Sequence, residues 1–178
     1  YDILKNHNKV FVPKFKEPHF FNFEKNFSKG IDWYSQTYFG NVGKEKVIID
    51  FTPTYLYSNL CAERIFNSLG PNMKFVVILR NPVDRAYSHY NHSVRDGHEQ
   101  KSFFDAINLE AKRIEEFKNN NNFLSELRCS YISQGLYFNM LNSYLKYYDI
   151  NDLLIINFDE EVIKNINKTK IKLSDFLN

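Results

Sequence analysis

The stretch MKFVVILRNPVDRAYSHYNHS, residues 73–93, decides how the chain folds. Phe75 to Leu79 form a continuous apolar, β-branched run that reads as a strand buried on both faces, as in parallel sheets. It ends at Arg80. Asn81 is a good N-cap, Pro82 suits the first helical position, and the acidic Asp84 falls in the first turn, so a helix begins at once. A strand therefore delivers an arginine to the carboxyl edge of a sheet, where open α/β folds bind ligands.

Along that helix, Asn81, Asp84, Ser88, His92 and Arg95 share one side at helical spacing, and Val83, Tyr87, Tyr90 and Val94 form the side expected to pack. Ser88 then faces the same crevice as Arg80. A guanidinium fork beside a hydroxyl suits a phosphate, because arginine gives paired charge-assisted bonds and serine a further donor. The plainer reading of the pair is a salt-bridged strand end and a solvated serine.

Composition narrows the field. The 178 residues read as one α/β domain over residues 1–178. A net charge of +2 gives no basic field for nucleic acid. Cys61 and Cys129 are the only cysteines, too few for a disulfide framework or a cysteine metal site. The acids Asp159, Glu160 and Glu161 read as a solvated helix start, so no metal is called for. No apolar run approaches the roughly 20 residues of a membrane span.

Upstream, KFKEPHFFNF covers Lys14 to Phe23. Pro18 biases Glu17 towards an extended backbone, which would project Glu17 and His19 to the same side. A carboxylate beside an imidazole can take a proton from an attacking hydroxyl. The same residues would also serve an ordinary half-exposed strand or a surface for stacking bases. Further on, KVIIDF reads as a second strand leading into Thr52-Pro53, and LLIINF as a third. Helices are expected over residues 30–39, from a Ser58 cap to about Ser68, after Gly97, and from Tyr131 to Tyr148.

RNPVDRAYSHY closely resembles the 3′-phosphate-binding motif of sulfotransferases that use 3′-phosphoadenosine 5′-phosphosulfate (PAPS). KEPHFF resembles the KE-x-x-FF stretch of the carbohydrate branch, and the run from Gly97 to Ile107 resembles a bacterial one. The resemblance implies a P-loop-NTPase-like parallel sheet flanked by helices, incomplete at both ends. It implies Arg80 and Ser88 on the cofactor's 3′-phosphate, Glu17 as catalytic base with His19 as helper or second base, and Lys16, Thr52 and Pro53 on the acceptor side. Tyr137, in Gly135-Leu136-Tyr137, matches the family's R-G-x-Y signature, with Gln134 in place of the basic residue.

Phe51 stands where carbohydrate relatives often carry a lysine, which an anionic glycan would miss. The family's 5′-phosphosulfate loop finds no counterpart, so the chain reads as an internal portion of a longer sulfotransferase that would be inactive alone. The implied activity is sulfuryl transfer from PAPS to a hydroxyl or amine, with a glycan as the favoured acceptor and a bacterial-like cytoplasmic setting, or a Golgi lumen if eukaryotic. A silent nucleotide scaffold and a P-loop kinase are the rivals. The kinase predicts a magnesium-binding Asp where the chain has Arg80.

Overall fold

The computed structural model describes residues 2–177. Tyr1 and Asn178 lie outside that range. Helices dominate. In chain order they are α1 (Asp2–Lys5), α2 (Glu24–Phe27), α3 (Ile31–Phe39), α4 (Cys61–Leu69), α5 (Pro82–Arg95), α6 (Phe103–Asn119), α7 (Phe123–Cys129), α8 (Tyr137–Tyr144) and α9 (Ile166–Leu177). The strands are β1 (Val10–Phe11), β2 (Val47–Ile48), β3 (Phe75–Leu79) and β4 (Leu153–Asn157).

The single parallel sheet expected from the sequence is corrected to two parallel pairs, β1 with β2 and β3 with β4, with no pairing between them among the described residues. β1 stops because Pro13 has no N–H to continue the ladder, and the chain after Ile49 is drawn away by side-chain bonds to Asp50. β3 and β4 pair in full register from Phe75 opposite Leu153 to Leu79 opposite Asn157. Parallel neighbours require a long crossover, and α5 to α8 supply it. Burial on both faces also fails: Val76, Ile78 and Ile155 stay 39%, 54% and 39% exposed, so only one face of this pair is covered.

Two cores hold the layers. The larger is aromatic, with Phe20, Phe21, Tyr34, Tyr55, Tyr144 and Tyr148 around Cys61, Ala62 and Ile65. Phe20 stacks on Tyr34 at 4.4 Å, and Phe21 meets Tyr55 edge-on at 5.6 Å. The smaller core joins α5, α6 and α7 through Ala86, Ala106, Cys129 and Tyr131. Both cysteines are free and buried. Glu99, after the Gly97 turn, is buried and receives Arg113, Tyr131 and two backbone N–H groups. Burial opposes its charge, but these donors hold its carboxyl down to about 2.

Local signals around α5 are met. Asn81 accepts from the Val83 N–H at 2.9 Å and the Asp84 N–H at 3.4 Å, and Pro82 opens the helix. The packing side is corrected in part: Tyr90 packs against the smaller core as expected, but Val83, Tyr87 and Val94 are 69%, 53% and 42% exposed, and Ala86 and Ser93 are the buried positions. Ser58 does not cap α4, whose N-cap is Leu60. The helix expected over 131–148 is interrupted by a 3-10 turn, Ser133–Gly135, before α8. There a Cβ on Gly135 would meet Pro82 Cβ at 3.1 Å, so the glycine lets this turn seat against the start of α5. The three acids at 159–161 form a π-helical turn, Phe158–Ile163, in which Glu161 is buried, contrary to a wholly solvated start.

No helix is long and apolar enough to cross a membrane among the described residues.

Candidate active site

Arg80 leaves the end of β3 half-buried, and Ser88 comes two turns into α5. Both line one pocket of about 310 Å³, shared with Ile78, Arg85, His89, His92 and Phe158. On α5, residues 85, 88, 89 and 92 recur at three- and four-residue steps, so one helix face supplies a second guanidinium, a hydroxyl and two imidazoles. The Arg80 guanidinium lies 5.5 Å from the Phe158 ring centroid, and its Nε is 3.7 Å from Asp159 Oδ1. Tyr137 donates its hydroxyl to the Arg80 carbonyl at 3.0 Å, which fixes the strand end from α8.

The donors of this pocket are under-used. The Nε atoms of Arg80 and Arg85 are buried and make no hydrogen bond. Arg85 donates through Nη2 to the Tyr131 carbonyl, and its Nη1 lies 3.4 Å from His89 Nδ1. Burial pushes the His89 imidazole down to about 4, with Arg85 and His92 adding repulsion. Two guanidinium groups, a hydroxyl and a neutral imidazole around a small concavity are a site for a compact anion. Arg85 and His89 were not singled out by the sequence reading, although the three-residue offset of Arg85 from Ser88 places both on one helix face and could have found Arg85.

The second group lies in the segment before α2. Glu17 and His19 do meet, with Nε2 3.4 Å from Oε2, but not by an extended backbone. Both take positive φ, 55° and 50°, a region that side chains disfavour. Tertiary contacts impose it. Pro18 between them is fully buried, Asn26 donates its amide to the Pro18 and His19 carbonyls, and the Phe20 N–H donates to the Tyr55 hydroxyl. Such strain gathers where a site is held in place by its surroundings.

The imidazole is fixed from its other nitrogen. His19 Nδ1 lies 3.2 Å from Thr54 Oγ1 and 3.2 Å from Asn22 Nδ2, which itself donates to Thr54 at 2.9 Å. Thr54 and Asn22 were also missed, because nothing in the local spacing links Thr54 to His19, 35 residues away, or to Asn22, 32 residues away. Behind them Asp50 accepts from Tyr34, Tyr55 and Thr52 at 2.8, 2.8 and 2.6 Å. Burial raises the Asp50 pKa, while the three hydroxyl donors and nearby His19 pull it back. Thr52 is thus buried with its hydroxyl committed to Asp50, whereas Pro53 and Lys16 are exposed.

The structure brings Arg80 and Ser88 together in one pocket, and Glu17 and His19 together beside the Thr52–Tyr55 turn. Among the described residues, no three His, Cys, Asp or Glu side chains gather as a metal site.

A family model described as a sulfotransferase domain matches residues 1–178. The bifunctional heparan sulfate N-deacetylase/N-sulfotransferase 1 of Caenorhabditis elegans is 30% identical over 151 residues, 84% of this chain and 16% of that protein. Heparan sulfate glucosamine 3-O-sulfotransferase 5 of Mus musculus is 27% identical over 179 residues, 99% of this chain and 48% of that one. The crystal structure of a sulfotransferase from Alicyclobacillus acidocaldarius matches with a TM-score of 0.82 and 27% identity, covering 98% of this chain and 72% of the other. The chain spans about half or less of the length of these curated relatives.

Proposed function

The chain belongs to the sulfotransferase domain family, and from that premise we propose that it moves a sulfuryl group from PAPS to a hydroxyl or amine of a glycan acceptor. The observation that carries this reading is the shared pocket of Arg80 and Ser88, with the buried Nε donors of Arg80 and Arg85 still lacking a hydrogen bond. That donor set fits a 3′-phosphate. Arg80 and Ser88 hold it, and Arg85 adds charge from the helix side.

When bound, PAPS supplies the activated sulfuryl group. Glu17 accepts the proton that the acceptor loses as it attacks, which asks of a carboxylate about 10²–10⁴-fold in rate. His19, held at Nδ1 by Thr54 and Asn22, keeps the Glu17 carboxylate in place from 3.4 Å. Lys16 and the Thr52-Pro53 turn stand on the acceptor side. Thr52 acts there through the backbone, since its hydroxyl is donated to Asp50. Asp159 keeps the Arg80 guanidinium oriented beside the pocket.

Thermal unfolding with adenosine 3′,5′-bisphosphate and with AMP tests the reading. Ligand-linked stabilisation should be large for the first and small for the second, because the pocket reads the extra phosphate. Equal shifts from the two nucleotides would refute it.

A further inference from the structure

The imidazole of His19 meets a different chemistry at each of its nitrogens. Nε2 lies 3.4 Å from Glu17 Oε2, whereas Nδ1 lies 3.2 Å from Asn22 Nδ2 and 3.2 Å from Thr54 Oγ1. A carboxylate only accepts, an amide nitrogen only donates, and a neutral imidazole has one nitrogen of each kind. These partners select a single tautomer. A bare Nε2 would set its lone pair against the Glu17 carboxylate, so the ring proton belongs on Nε2, and Nδ1 is left to accept from Asn22.

The surroundings hold the Asn22 amide in this orientation. Asn22 is 5% exposed, and its Nδ2 also donates to Thr54 Oγ1 at 2.9 Å. Having taken that hydrogen, the Thr54 hydroxyl is free to turn its own towards Nδ1, so both neighbours of Nδ1 are donors. The cost is Asn22 Oδ1, which is buried without a hydrogen bond. A reversed carboxamide would instead offer Nδ1 an acceptor and would suit a doubly protonated ring. The acids near the ring are Glu17, at Nε2, and Asp50, whose oxygens are already taken by Tyr34, Tyr55 and Thr52. The Phe23 ring, 4.9 Å from the imidazole, brings no charge.

We propose that Asn22 is a positioning residue that holds His19 as its neutral, Nε2-protonated tautomer, so that the imidazole steadies Glu17 and does not serve as a second base. The inference rests on reading Glu17 as the base of a sulfuryl transfer, but the proton position it asserts is a property of the protein without ligands. As the acceptor atom bonds to sulfur, the bond from sulfur to the nucleotide's phosphate oxygen breaks and its electron pair stays on that oxygen. The acceptor's proton then has one destination, a Glu17 oxygen. His19 Nε2 already carries a proton and keeps it. Aspartate in place of Asn22 would reverse the selection, because it offers Nδ1 acceptors only and adds a negative charge.

The test is a long-range proton–nitrogen NMR correlation of the protein with isotope-labelled histidine rings, in which proton-bearing and bare ring nitrogens resonate far apart. His19 is identified by the signals that vanish in His19→Gln. At about pH 7, Nε2 should be proton-bearing and Nδ1 bare. A proton on Nδ1, alone or together with one on Nε2, would overturn the assignment. Asn22→Asp should bring protons to both nitrogens, and a folded Asn22→Asp protein whose Nδ1 stays bare would remove Asn22 from its role. If that variant unfolds, Asn22→Ala is read at about pH 6, where loss of the opposing donor should raise the doubly protonated fraction about threefold over the native protein. An unchanged fraction overturns the proposal equally. The expected tautomer without any preference for adenosine 3′,5′-bisphosphate over AMP would sink the transferase reading and leave the proton assignment standing. A proton on Nδ1 with that preference intact would do the opposite.

Discussion

The anion pocket and the Glu17–His19 segment are built in opposite ways. Arg80 directly follows a regular strand and Ser88 sits on a regular helix, the two joined by a capped turn whose determinants lie within a few residues. Glu17 and His19 sit on irregular backbone at positive φ, held by Asn26, Tyr55 and Thr54 from elsewhere in the chain. A site on regular elements depends on local sequence, whereas a strained one depends on the tertiary contacts that impose it. Damage should therefore spread differently from the two.

The largest expected effect is on chemistry. Glu17→Gln should lower turnover about 10²–10⁴-fold while leaving affinity for adenosine 3′,5′-bisphosphate intact, measured by steady-state rates and calorimetry. Loss of nucleotide binding would mean the two regions are not separable in this way.

Next comes the support behind the strained segment. Asp50→Ala should strand the hydroxyls of Tyr34, Tyr55 and Thr52, destabilising the protein by about 3 kcal/mol in denaturant unfolding. The same change should loosen the Glu17–His19 pair and leave the anion pocket able to bind. Arg80→Ala makes the mirror-image case. It should cost about 50-fold in affinity for the bisphosphate and little for AMP, with stability hardly altered.

The pocket's imidazole gives a pH signature. His89 has its folded-state pKa depressed to about 4, below the ordinary 6.5, so the unfolded chain binds more protons between those values. Stability should thus rise with pH from about 4 to about 6.5, by about 3 kcal/mol, and fall as pH drops through that window. His89→Asn should flatten that part of the profile. A bound dianion would raise the His89 pKa, so binding should take up a proton near pH 5–6. The smallest effect expected is for Gly135→Ala, about 1 kcal/mol, since its Cβ would press on Pro82 at 3.1 Å.

Much of β3 and α5 could be read in advance because apolar run, N-cap and proline are all local signals. The side of α5 that packs could not. Val83, Tyr87 and Val94 have the periodicity of a buried stripe, but periodicity tells which side is apolar and not whether a neighbour covers it. Here Ala86 and Ser93 are covered instead. KVIIDF likewise reads as a full strand, but only Val47–Ile48 pairs, because Asp50 is claimed by three hydroxyls immediately after. The pairing of Glu17 with His19 was legible, although the extended backbone expected to produce it was not. The pre-proline preference is worth little against a buried Pro18 and the amide of Asn26. Thr54, and with it the role of Asn22, entered only with the structure, since Thr54 reaches His19 and Asn22 from a distant segment, whereas Arg85 stands three residues before Ser88 on the same helix and was open to the sequence.

One measurement bears most directly on the account: a crystal structure of the protein with adenosine 3′,5′-bisphosphate bound. The account predicts the 3′-phosphate between Arg80 and Ser88, within hydrogen-bond distance of the guanidinium and of Ser88 Oγ. A phosphate seated away from both, or a nucleotide lodged with this pocket empty, would contradict it.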